Sequence, residues 1–202
     1  MIISDNGLRL IAEFEGFSGQ LYNDPVGHCT VGYGFLVHLG NCDGRASEAP
    51  YVNGISVAEG IRLLNDKVET YANAVTTFTT VPLNQNQFDA MTSLCYNIGA
   101  WGYQDSTVLR ELNLGRYQDV CNELRKYVRG TDGVIYPGLV RRREAECVLF
   151  NTPIIEEEIP VSDVYLNRNI VGRIFTRAAS KALAGQTLTS AEKDKIKWLV
   201  SQ

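Results

Sequence analysis

Glu15, Asp24 and Thr30 stand nine and six positions apart in the string EGFSGQLYNDPVGHCTVGYG. Two carboxylates and a hydroxyl in this arrangement suit the cleavage of a glycosidic bond. One acid protonates the leaving oxygen, while a carboxylate stabilises oxocarbenium-like charge or activates water. The glycines between them let a bulky polymer come close to the backbone. Each residue also has an inert reading. Glu15 could close a helix end by pairing with Arg143, Asp24 before Pro25 could serve only a turn, and Thr30 could be an ordinary strand threonine. Together, at these spacings, the three have no common structural cause, and the residues point to a glycan hydrolase.

The elements that must position them can be read from the pattern. Ser4 or Asp5 caps a first helix in which Leu8, Ile11, Ala12 and Glu15 fall at i, i+3, i+4 and i+7, and Gly16 ends it. That stripe predicts a partly dry wall beside Glu15, where desolvation raises a carboxyl pKa as a general acid requires. Glu13 points elsewhere. Residues 18–42 change to short β-type runs around Asp24-Pro25-Val26-Gly27, a turn signal, and predict a small antiparallel sheet beside the helix. Residues 41–55 read as an irregular loop. Ser56 and Glu59 form a capping box for a long helix over 56–78, with a buried stripe of Val57, Ile61, Leu64, Val68, Tyr71 and Val75. Helical spacing returns in the block after Pro82, then over 106–115, 117–128 and 138–150. The fold class is α+β, mainly α: a sheet lobe and a helical lobe joined by the long helix, plus a C-terminal helical extension.

The 202 residues suffice for one well-cored domain with an appendage. Composition breaks at Thr152-Pro153, so the expected organisation is a catalytic domain over 1–152, an acidic linker over 153–162 and a basic helical extension over 163–202. Residues 161–202 carry about +4 of charge, leaving about −8 on the rest of a chain whose net charge is −4. The body therefore has no pull toward nucleic acid. The extension could meet an anionic wall or membrane, pack on the main domain, or pair with a second copy. Five cysteines, at 29, 42, 95, 121 and 147, lack metal-site spacing and suggest a mainly reduced protein. A Cys29–Cys42 pair in an oxidising compartment stays open. Cys95 and Cys147 suit small core positions. The N-terminus does not resemble a secretory signal.

FEGFSGQLYNDPVGHCTVGYG, LNQNQFDAMTSLCYNIG, STVLRELNLGRY and PGLVRRREAECVLF resemble, over residues 5–151, the phage-type lysozymes (endolysins) of glycoside hydrolase family 24. The resemblance implies a lysozyme-like fold and a muramidase that cuts peptidoglycan with inversion, with Glu15, Asp24 and Thr30 as the catalytic set and no metal or cofactor. Tyr33, Asn97 and Trp101 are candidates for the glycan cleft. It also implies accumulation in the host cytoplasm and delivery to the wall by a holin-type release protein, with a virion-borne lysin as the other route. A non-catalytic peptidoglycan-binding or virion structural protein that keeps the fold is the alternative from another class. One departure is Phe35, where the family usually has histidine after Gly-x-Gly. His38 is a candidate to replace it.

Overall fold

The computed structural model describes residues 1–154, which form one compact unit. The linker and helices expected beyond them lie outside the described residues. The first helix, α1, spans Asp5–Glu15 with Ser4 as its N-cap, the Ser4 hydroxyl accepting from Gly7 N. Gly16, at a φ of 72°, stops it in a conformation that costs glycine little.

Three strands follow as an antiparallel meander: β1 (Ser18–Asn23), β2 (Cys29–Gly32) and β3 (Phe35–His38). The β1–β2 turn closes through Gly27 N donating to Asp24 O at 2.9 Å, as the Asp-Pro-Val-Gly signal predicts. β2 lies between its two neighbours and is buried along its whole length. The expected loop over 41–55 contains a 3-10 turn at Ala46–Tyr51. α2 then runs over Val57–Phe78, with the Ser56 hydroxyl accepting from Glu59 N. The Glu59 carboxylate turns to Arg62 instead of closing the expected capping box.

The buried stripe of α2 differs from the expected one. Val57 is exposed, and Gly60, Leu63 and Ala72 are buried beside Leu64, Val68 and Val75. Gly60 explains the rotation, because the aromatic rings beside the sheet press onto it. A Cβ built there would lie 2.7 Å from the Phe17 ring and 3.3 Å from that of Tyr33.

α3 (Gln85–Ile98) opens on a complete Asn84–Gln87 capping box and is buried almost all round between α1, α2 and α7 (Pro137–Asn151). Several of its buried polar residues find partners there, although the Tyr96 hydroxyl has none among the described residues. Asp89 accepts from Ser4 N, Thr92 donates to Phe88 O, and Ser93 donates to Glu146. α4 (Ala100–Gln104) restarts immediately after Gly99 and was not expected. Tyr103 anchors it, fully buried with its hydroxyl 2.9 Å from Thr79 Oγ1. α5 spans Thr107–Asn113 under a Ser106 cap. The single helix expected over 117–128 is broken into a 3-10 turn at Tyr117–Asp119 and a short α6 (Val120–Leu124). Bonds from Asp119 N to Arg116 O and from Tyr127 N to Leu124 O tighten both ends.

Candidate active site

Glu15 is the last residue of α1, where helix geometry carries its side chain off the end of the apolar stripe formed by Leu8, Ile11 and Ala12. Its side chain is 25% exposed, and Oε1 accepts from Arg142 Nη1 at 2.8 Å. The expected dry wall is thus replaced by an ion pair. The arginine is Arg142 and not Arg143. On α7 one residue turns a side chain by about 100°, and Arg143 points into the core, where it pairs with Glu146 at 2.7 Å.

Arg142 is itself buried and reaches three groups at once: Glu15, Glu146 at 3.4 Å and the Ser93 carbonyl at 3.3 Å. Its guanidinium also lies 5.7 Å from the Phe14 ring centroid and 6.0 Å from that of Tyr96. Burial, then the charge of Glu15, pushes the Tyr96 hydroxyl up.

Asp24 is fixed by its own turn. Oδ1 accepts from Val26 N at 3.0 Å and His28 N at 2.8 Å, an arrangement in which aspartate mimics a backbone turn. Neither of these bonds uses Oδ2. Thr30 is buried on β2 and donates its hydroxyl hydrogen to His28 O at 3.1 Å, so its lone pairs remain for a hydrogen donor.

Tyr22 links the pieces. It is the register partner of Thr30 across β1–β2. Its hydroxyl is held above the ordinary tyrosine range by burial first, then by the negative charge of Asp24 and of Glu15. Tyr22, Glu15 and Asp24 come respectively from β1, the end of α1 and the β1–β2 turn. Tyr22 and Arg142 are functional candidates that sequence reasoning missed. Tyr22 sits two residues before Asp24, a proximity that could have flagged it. The run Arg141-Arg142-Arg143 carries no sign of which member faces the site.

Tyr33 is half-buried and packs on Phe17 with ring centroids 5.1 Å apart. Asn97 is exposed in the last turn of α3, and Trp101 is 77% exposed on α4. Phe35 packs against Tyr51, centroids 6.1 Å apart, and so fastens β3 to the 3-10 turn. His38 is engaged with Glu48, 2.8 Å from Nε2 to Oε1. The expectation of mainly reduced cysteines is corrected in one place. Cys29 and Cys42 form a disulfide, while Cys95, Cys121 and Cys147 are free and buried. Cross-strand placement of Cys29 beside the returning loop brings the two together.

A carboxylate at the end of the first helix, a second in the turn of a three-stranded sheet, and a long helix leading from the sheet into a helical lobe make up the plan of the lysozyme fold. A profile of the phage lysozyme family matches residues 12–146. The chain belongs to the phage lysozyme family. It is 36% identical over 154 residues to the endolysin of Bacillus phage B103, a match covering 75% of this chain and 55% of that one. The chain thus spans about half the length of that relative. With the endolysin of Salmonella phage P22 it shares 36% identity over 151 residues, covering 74% of this chain and 98% of that one. Among solved structures it is similar to the muramidase domain of SpmX from Asticaccaulis excentricus. That match has a TM-score of 0.64 and 31% identity, and covers 75% of this chain and 98% of that one.

Proposed function

We propose that this lysozyme-family chain is an endolysin that hydrolyses the β-1,4 bond between N-acetylmuramic acid and N-acetylglucosamine in bacterial peptidoglycan. Glu15 is the general acid that protonates the leaving oxygen, and Arg142 holds its carboxyl in place. Asp24 is the base, taking a proton from water on Oδ2 while Oδ1 stays committed to the turn. Thr30, whose own hydrogen is given to His28 O, accepts a hydrogen bond from that water. Attack from the face opposite the acid gives inversion, which needs carboxyls roughly 6.5–9.5 Å apart. Tyr33, Asn97 and Trp101 line the glycan path, the exposed indole serving as a face on which a sugar ring stacks.

What supports this reading is the phage lysozyme family match over residues 12–146, with Glu15 held by Arg142 at the end of α1, Asp24 fixed in the β1–β2 turn and Tyr22 paired with Thr30 across β1–β2. The setting is the host wall, reached from the cytoplasm with a holin-type release protein.

The test is release of reducing ends from purified peptidoglycan by the intact protein beside Glu15→Gln. We expect muramic-acid reducing ends from the parent, and a loss of at least about 100-fold in the variant, which still sediments with the wall. Folded protein that binds the wall but releases no ends would show a binding module instead of an enzyme.

A further inference from the structure

Apart from the catalytic groups, the β-lobe gathers four metal-ligating side chains on one spot. Cys29 on β2 lies directly across the ladder from His38 on β3. Cys42, in the following loop, is bonded to Cys29, and Glu48 enters from the 3-10 turn. The Cys29 sulfur, a His38 ring nitrogen and a Glu48 carboxylate oxygen all lie within 4.8 Å of one another.

The non-sulfur donors are already oriented. His38 Nδ1 lies 2.9 Å from the Leu39 carbonyl. A carbonyl only accepts, so Nδ1 carries a proton and Nε2 faces the cluster. A backbone carbonyl behind the imidazole is the usual arrangement of a histidine metal ligand. Glu48 is buried, with Oε1 accepting from Asp43 N at 2.8 Å and Oε2 from Gly44 N at 3.1 Å. Its carboxylate is therefore held before any cation arrives.

We propose that, once the Cys29–Cys42 disulfide is reduced, Cys29, His38, Cys42 and Glu48 bind one divalent cation of the zinc class, which replaces the disulfide as the cross-link of the β-lobe. A dithiol supplies two electrons and two protons to the disulfide, yielding two thiols and leaving as its own disulfide. Binding then expels both thiol protons and the proton lying between His38 and Glu48. Tetrahedral zinc, with bonds of about 2.0–2.3 Å, places its ligand atoms about 3.3–3.8 Å apart. The present cluster is wider than that by about an ångström, a gap that side-chain rotation closes. Two thiolates beside an imidazole and a carboxylate select zinc over magnesium or calcium. Loop 39–48 thereby stays tied to the strand of Thr30 in either redox state. This proposal is independent of the enzymatic reading.

The full chain is reduced with a dithiol, freed of it under argon and titrated with cobalt(II), with oxidised protein in parallel. The expected result is one equivalent bound by the reduced form, with thiolate-to-cobalt charge transfer and the ligand-field bands of a tetrahedral site, bleached by added zinc. Oxidised protein should show neither band. His38→Gln and Glu48→Gln, checked for folding by circular dichroism, should each weaken binding by at least about 100-fold. No thiolate–cobalt band in the reduced protein would overturn the proposal. So would a band of undiminished affinity in both variants, which would mean that His38 and Glu48 are not ligands.

Discussion

Arg142 holds more of the site together than any other single residue. It is buried, yet its fork reaches Glu15, Glu146 and the Ser93 carbonyl, a geometry that one ammonium cannot reproduce. Arg142→Lys keeps the charge and loses the simultaneous contacts. We expect kcat to fall by about 10- to 100-fold, the scale of a catalytic group displaced by an ångström, with KM little changed. A rise in KM with kcat intact would assign Arg142 to substrate binding. Beneath it, burial pushes the Glu146 carboxyl up against the pull of Arg143, Ser93 and Arg142. Glu146→Ala should therefore cost about 3–5 kcal/mol of stability, because it strands the buried Arg143 guanidinium, while Arg142 keeps Glu15. Urea unfolding measures it, and a cost below about 1 kcal/mol would show that water replaces the carboxylate.

At the scale of elements, α1 aims Glu15 because its N-terminus is docked on α3. Asp89, fully buried on α3, accepts from Ser4 N and Ser4 Oγ and from Gln85 Nε2. Gly7 permits the approach, since a Cβ there would lie 2.6 Å from Asp89. Burial outweighs these hydrogen bonds and raises the Asp89 pKa above its ordinary 3.8. A carboxyl raised in the folded state binds its proton more tightly there than in the unfolded chain. Its contribution is thus fully present below 3.8 and is lost as pH rises through the folded value. The melting temperature of the parent relative to Asp89→Asn should accordingly increase as pH falls from neutral toward 3.8. A difference that instead decreases as pH falls would mean that the hydrogen bonds, not burial, dominate.

For the molecule as a whole, two cross-links of different kinds confine the β-lobe. The Cys29–Cys42 disulfide closes a loop of sequence separation 13, for which loss of chain entropy in the unfolded state predicts about 3 kcal/mol. Reduction in the presence of a chelator should lower stability by that order in urea titrations, and an unchanged midpoint would show that the His38–Glu48 contact suffices. Met1–Ile154 has its own core of α2–α7 and a second cluster joining α1 to α2 through Leu8, Ile11, Leu64 and Val68. Truncation after Ile154 should therefore retain reducing-end release within about 2-fold, since destabilisation comes mainly from lost core contacts. Loss of cleavage on truncation would make the C-terminal segment part of the working enzyme.

The local features were legible because they depend on near neighbours. The Ser4 cap, the Gly16 stop, the turn that orients Asp24 and the extent of α2 all follow from residues within a few positions of one another. The α3 block was legible for the same reason, through its Asn84 cap and helical spacing. What required tertiary structure were the choices among equivalent residues. Helical phase selected Arg142 from three consecutive arginines, the approach of Phe17 to Gly60 rotated the buried face of α2 away from Val57, and the return of the loop placed Cys42 against Cys29. Tyr22 gained its significance only when β1 paired with β2 and set it opposite Thr30. Sequence by itself determined which residues could do the chemistry and which elements carry them, because spacing and local backbone preference are short-range. Their partners were decided only in the folded chain, because burial and charge act across space.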